Sequence, residues 1–361
     1  MAITSSIILF FSIIVFFFGQ LLRINIGSIN FPLFDIALFL LFLLNIFYQI
    51  KYKKLKIKNH YFLAFLVIAW LSFLINHFLY DFNLLKPSLY LLLLTILLSF
   101  FIIPIHPNLI SPKVRYFFSL SLIANIVFGL IQYFIWPNFT YFDASNWDPH
   151  LYRLVSTFFD PTFTGLIYLF FIIYVYLSKK FPYKNLILII SYFAMVLTYS
   201  RSTFLAFILV FAFISFKLKN LKIFIFSFVL IATTIILLPR MPGEGTKLER
   251  SSSIKAKIEN YKEGINVFTK SPLLGVGYNN LFYIRNSTNP LSHSISGFDS
   301  SLLTILTTTG IFGLVFFILG IYKKFITSEL IQQSILIAVL FHSLFANSLL
   351  YPWVLFFIFL I

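Results

Sequence analysis

The stretch Ile231-Ala232-Thr233-Thr234-Ile235-Ile236-Leu237-Leu238-Pro239-Arg240-Met241-Pro242-Gly243-Glu244-Gly245-Thr246-Lys247-Leu248-Glu249-Arg250 marks a change of solvent in this chain. Up to Leu238 the sequence is one more apolar run among many. From Pro239 to Asp299 it is polar, and this segment holds 8 of the 27 Lys and Arg residues. Short loops join two helices at lower entropic cost, so a polar segment of this length predicts a working part as well as a connector. Within it Ile254, Ile258, Tyr261, Ile265 and Phe268 recur at steps of four, three, four and three. That spacing predicts an amphipathic helix over about 253–270, capped by Ser253. The stripe suits a helix lying on a membrane surface or packed over the mouth of a bundle. The simpler reading is a helix that only covers the bundle. Ser271-Pro272 ends the helix, and Gly275-Val276-Gly277 turns the chain toward Ser292-His293-Ser294 and Asp299.

Outside this loop the sequence is nearly all apolar. Hydrophobic residues make up 60% of the chain, with 50 Phe and only 11% charged residues, against an apolar share of ~45–50% in soluble domains. The fold class is therefore an all-α polytopic membrane protein. A helical span needs ~20 apolar residues. Eleven runs between Ile7 and Leu350 approach that length, and a twelfth, Pro352 to Ile361, has about half of it. The first run, Ile7 to Leu22, has neither a charged flank nor a small-residue cleavage site and reads as a retained span. No internal repeat or linker divides the chain, so residues 1–361 read as one transmembrane domain of 11–12 helices with one long loop, 239–299.

The net charge of +16 does not point to nucleic acid, because the Lys residues form short blocks between apolar runs. Such blocks are topology signals. With the amino terminus placed inside, the inner connections carry 15 Lys and Arg and the short outer ones only Arg23, Lys86, Arg153 and Arg201. Both termini are then expected in the cytoplasm, with the long loop outside. Of the 11 acids, all but Asp35 and Glu329 fall in outer segments on this assignment. Zero Cys excludes disulfides and thiolate metal sites.

Three outer constellations carry chemistry. In Tyr152-Arg153-Leu154-Val155-Ser156-Thr157-Phe158-Phe159-Asp160-Pro161, Arg153 and Asp160 precede a span. An Arg at the bilayer edge needs a partner, so the pair is either a structural clasp or part of an anion site. In Tyr199-Ser200-Arg201-Ser202-Thr203, a tight turn holds Arg201 at the edge, where it either snorkels or presents its planar fork of donors to phosphate oxygens. Arg250 and Arg285, in the long loop, are further candidates for the same anion. His293 stands among hydroxyl residues six positions before Asp299, and a pKa near ~6.5 suits a proton acceptor. A hydrogen-bonding role is the plainer alternative. His60, His77, His106, His150 and His342 lack such company and read as boundary or packed residues. No D-x-D or adjacent acid pair occurs on the outer side, which disfavours divalent-metal catalysis.

Taken in order, Arg153 to Pro161, Ser200-Arg201, Ser271-Pro272-Leu273-Leu274-Gly275-Val276-Gly277, His293-Ser294 with Phe298-Asp299-Ser300-Ser301-Leu302-Leu303, and Gly310-Ile311-Phe312-Gly313-Leu314 resemble the Wzy-type O-antigen polymerase and O-antigen ligase family. The resemblance covers roughly residues 150–361. Thr162 stands where the family often has Asn after Asp-Pro, and Ser294 where many members have Asn after His. The resemblance implies a GT-C-like fold and an inverting, metal-independent glycosyltransferase without cofactor. It implies a glycan on undecaprenyl diphosphate as donor, with His293 catalytic and Arg153, Arg201, Asp160 and Asp299 binding substrate; Arg250 and Arg285 join the substrate-binding set by their place in the loop, outside the matching pieces. Membrane lipid, a chain-length regulator and a flippase are the implied partners, in the bacterial inner membrane. Polymerase is the first reading and O-antigen ligase its nearest rival. A flippase is a third, disfavoured because Asp35 is the lone acid within the apolar runs before the loop and lies near an outer end.

Overall fold

The computed structural model describes residues 2–26, 29–52, 56–80, 85–103, 105, 110–138, 150–285 and 297–361. Each of the twelve apolar runs holds a helix. They are α1 (Ala2–Phe18), α2 (Leu33–Lys51), α3 (His60–Tyr80), α4 (Leu85–Ile102), α5 (Pro112–Ile135), α6 (Pro161–Leu177), α7 (Lys184–Val196), α8 (Arg201–Lys217) and α9 (Leu221–Leu237). The polar loop adds α10 (Ser252–Lys270) and the single turn α11 (Leu281–Ile284), and the chain continues with α12 (Ser301–Ile326), α13 (Leu330–His342) and α14 (Pro352–Leu360). A two-stranded hairpin, β1 (Arg23–Ile26) and β2 (Ile29–Pro32), joins α1 to α2 with Arg23 opposite Pro32. Among the described residues, four helices are long and apolar enough to cross a membrane: Leu33–Lys51, His60–Phe78, Pro112–Ile135 and Ser301–Ile326.

Local chemistry sets the helix starts. Ser111, Asp160, Ser200, Asn220 and Ser300 each accept a hydrogen bond from a first-turn amide, and Pro112 and Pro161 sit where a missing N–H costs nothing. The bundle closes around α14. Its nine residues extend roughly 13 Å at ~1.5 Å each, less than half a bilayer, yet Trp353 to Leu360 are all buried. Trp353 stacks on Phe34 of α2 at 4.9 Å, Phe359 on Phe100 of α4 at 4.5 Å, and Phe357 meets Phe118 of α5 and Phe170 of α6, each at 5.3 Å. The last helix is thus packed among α2, α4, α5 and α6.

Helix α12 is broken at Gly310, where φ is 66° and ψ is −170°. A break inside a bundle strands backbone groups, which must find partners. The segment after α10 supplies them. Val276 and Gly277 amides donate to the carbonyls of Thr307 and Thr308, both at 3.0 Å, and the Ile311 amide donates to Pro272 at 2.9 Å. From α3, Ser72 donates to Thr308 O and Asn76 to Gly275 O, also at 3.0 Å. The Ser271–Gly277 and Gly310–Leu314 motifs are therefore two sides of one backbone junction. Only glycine fits at its centre: a Cβ on Gly310 would lie 2.1 Å from Leu273 O, and one on Gly275 2.4 Å from the Thr308 carbonyl carbon.

Candidate functional site

On the face of the bundle that carries the long loop lies a cavity of ≈ 1250 Å³. Its walls come from the segment before α6, the turn before α8, α10, the start of α12 and the linker between α13 and α14. Arg153, Asp160, Arg201, Arg250 and Asp299, far apart in sequence, all line it. With Lys257 and Lys262 the walls carry five cations against two carboxylates, so the cavity is electropositive.

Arg153 is only 7% exposed. Its Nε donates to Thr198 O at 2.8 Å and a terminal nitrogen reaches Tyr199 O at 3.5 Å. Gly245 lies against the same side chain, where a Cβ would come within 2.7 Å of Arg153 Cδ. Of the two sequence readings, the clasp with Asp160 does not form: Asp160 Oδ1 instead caps α6, accepting from Thr162 N at 2.6 Å and Phe163 N at 3.1 Å. Backbone carbonyls of the turn before α8 thus hold the guanidinium in place.

Arg201 begins α8 and ties down the loop. It donates to Leu248 O at 3.2 Å, to Arg250 O at 3.0 Å and to the Ser253 hydroxyl. Three of the five guanidinium N–H donors are thereby used, which leaves two for a ligand. Arg250 in turn donates to the carbonyls of Glu244, Gly245 and Lys247. Beside them Tyr199, whose hydroxyl donates to Pro239 O at 2.9 Å, is a neutral donor, because burial raises its phenol above the ordinary range.

The loop helix departs from its expected setting in two respects. Ser253 does not cap it: α10 starts at Ser252, and the Ser253 hydroxyl is taken by Arg201. Only part of the apolar stripe makes the packing contact, Tyr261 meeting the cluster of Val267, Phe298 and Leu303. Gly264 and Val267 are buried, Gly264 against Leu303, whereas Ile254, Ile258 and Ile265 stay about half exposed and line the cavity with Tyr261. Helix α10 is docked through polar bonds along the same wall. Lys257 Nζ lies 3.4 Å from Asp299 Oδ2 and donates to Phe345 O, Tyr261 donates to Leu344 O at 2.6 Å, and Asn260 accepts from Asp299 N at 2.8 Å.

Arg285 stands apart from the cavity lining. It makes a two-pronged ion pair with Glu263 of α10 (2.7 and 2.6 Å) and sits 5.0 Å over the Phe298 ring. His293 lies outside the described residues. Sequence reasoning passed over Tyr90, His150, Lys257 and Asn347, all of which line the cavity. Lys257 alone had a signal, one helical turn after Ile254 and one before Tyr261. His342 is packed, as its sequence surroundings suggest, but it is not alone. Fully buried, it bridges the hydroxyls of Ser202 and Ser348, each at 3.0 Å, and so ties the Arg201 turn to the α13–α14 linker.

A bundle of apolar helices with an electropositive cavity under a polar loop describes a polytopic membrane protein. Residues 186–318, from α7 into α12, match a family model described as O-antigen ligase. Among curated proteins the chain has no match. Arg201, Arg250, Asp299 and the Gly310 junction fall inside the matched segment, and Arg153 and Asp160 before it.

Proposed function

We propose that the protein polymerises oligosaccharide repeat units carried on undecaprenyl diphosphate, for O-antigen or capsular polysaccharide, on the outer face of the cytoplasmic membrane. One observation carries the reading: Arg153, Arg201 and Arg250, remote in sequence, line a single cavity that also has an apolar wall from α10 and Leu205 of α8. An amphiphile with an anionic head and a lipid tail matches such a cavity. In an inverting transfer, a sugar hydroxyl attacks the anomeric carbon as the bond to diphosphate breaks. Charge builds on the departing diphosphate oxygens, and preorganised guanidinium groups stabilise it without a metal. The attacking hydroxyl must lose its proton, and His293 is assigned as acceptor on sequence grounds. Asp299 then orients that imidazole or binds a sugar hydroxyl.

O-antigen ligase, the description of the matched family model, shares this donor chemistry and differs in the acceptor, a lipid A core. Deletion of the gene separates the two. Loss of the polymerase leaves single repeats attached at the cell surface, whereas loss of a ligase leaves full-length polymer on its lipid carrier. Purified protein should also extend lipid-linked repeats into a ladder. Transport of the lipid-linked glycan across vesicles with no chain growth would overturn the enzyme reading in favour of a flippase.

A further inference from the structure

The cavity has a second group of lining residues that is polar and aromatic but not basic: Tyr90 of α4, Asp160 and Phe163 at the start of α6, and Asn347 in the α13–α14 linker. Asp160 caps α6 through Oδ1 alone, which leaves its other carboxylate oxygen without a donor among the described residues. Phe163 lies flat on Tyr351, with centroids 4.1 Å apart and planes at 8°. Tyr351 packs 4.9 Å from Trp353, which stacks on Phe34, so an aromatic slab leads from the cavity wall into the bundle.

Partnerless polar atoms concentrate in this slab. Asn347 Oδ1, Trp353 Nε1, the Tyr351 hydroxyl and Asp35 Oδ1 are four of the six buried side-chain atoms without a hydrogen bond among the described residues. The Tyr351 hydroxyl has Gln20 nearby but makes no bond of normal geometry to it. Buried polar atoms are hydrogen-bonded with few exceptions, and a cluster of exceptions marks a place with a job. Those four atoms are closed off from the cavity, and what a ligand meets on this wall is the second Asp160 carboxylate oxygen, Tyr90, Asn347 and the Phe163 ring. A lipid tail offers such groups no hydrogen bonds and an anion is repelled by a carboxylate, whereas a sugar ring suits them. Its hydroxyls donate to a carboxylate oxygen and accept from a phenol or an amide N–H, and its C–H faces pack on aromatic rings.

We propose that this wall is a saccharide subsite, in which Tyr90, Asp160 and Asn347 hydrogen-bond the hydroxyls of a sugar ring bordered by Phe163. The inference rests on the glycosyl-transfer reading above. The ring belongs either to the glycan still joined to diphosphate or to the end of the acceptor chain, since the hydroxyl chemistry is the same.

The test uses the full chain in lipid nanodiscs and three probes: lipid-linked glycan extracted from a source strain lacking this gene, undecaprenyl diphosphate alone, and the oligosaccharide released from the extract by mild acid. Asn347→Ala and Tyr90→Phe should each weaken binding of the glycan-bearing lipid about tenfold, the effect of one lost hydrogen bond at a desolvated site, and leave undecaprenyl diphosphate unaffected. Arg201→Ala should weaken both lipids. A separate reading comes from protein in which Trp70, Trp136 and Trp147 are replaced by Phe. There Trp353 emission should shift with the glycan-bearing lipid and not with the bare diphosphate. A shift with the free oligosaccharide alone assigns the subsite to the acceptor end, and a shift only with the tethered glycan assigns it to the donor. Equal weakening of both lipids, or of neither, with a silent Trp353 overturns the subsite. Failure of the unaltered protein to bind either lipid overturns the proposed function instead.

Discussion

Replacing Gly310 by Ala tests whether the loop segment after α10 is built into α12. At φ 66° and ψ −170° the backbone is in a region essentially reserved for glycine, and a side chain there costs ~1–3 kcal/mol in strain alone. The added methyl would also lie 2.1 Å from Leu273 O and 2.3 Å from its carbonyl carbon. These are backbone atoms, so relief requires the whole 271–277 segment to back away. Retreat breaks the Ile311–Pro272, Val276–Thr307 and Gly277–Thr308 hydrogen bonds, each worth ~0.5–1.5 kcal/mol net. Whether strain is kept or bonds are lost, the expected cost is about 3 kcal/mol. In a chain of 361 residues that corresponds to a melting point lowered by roughly 4 °C. Intrinsic tryptophan fluorescence during heating in detergent measures it. Gly275→Ala, which meets the same junction from the other side, should cost a similar amount, and the double variant less than the sum because both disrupt one contact. A Gly310→Ala protein that melts within about 1 °C of the unaltered chain would refute the insertion, since even the low end of the strain estimate exceeds that.

Three further predictions separate the charged residues. Arg201→Lys should keep the charge but lose the fork, abolishing chain growth, whereas Arg285→Ala should open the contact with Glu263 and lower stability more than lipid binding; the comparison needs a melting curve and a lipid-binding isotherm for each variant. His293→Ala should reduce turnover ~10²-fold or more with lipid binding retained, and His293→Gln with over half the original turnover would remove the base assignment. In intact cells a membrane-impermeant thiol reagent should label Lys255→Cys, an exposed position on α10, and not Lys323→Cys near the end of α12, and the reverse pattern would invert the orientation.

Sequence alone determined what depends on neighbours along the chain. Apolar run length and the residues Ser111, Asp160-Pro161, Ser200 and Ser300 set where membrane helices begin, because capping and partition into lipid act within a few residues. The same local logic located the polar loop and the helix within it. Tertiary structure decided whatever depends on which surface meets which. Most of these helices are apolar all round, so periodicity carries no record of the buried face, and nothing local marks the half-length α14 as buried. In α10 the stripe was legible but its destination was not: small Gly264 allows close packing on Leu303, and that contact turns Ile254 and Ile258 toward the cavity. The arginines could be nominated from charge at the membrane edge, yet their roles part only in three dimensions. Arg153 and Arg201 are held at the cavity wall by backbone carbonyls, which orient a guanidinium, whereas the carboxylate of Glu263 neutralises Arg285.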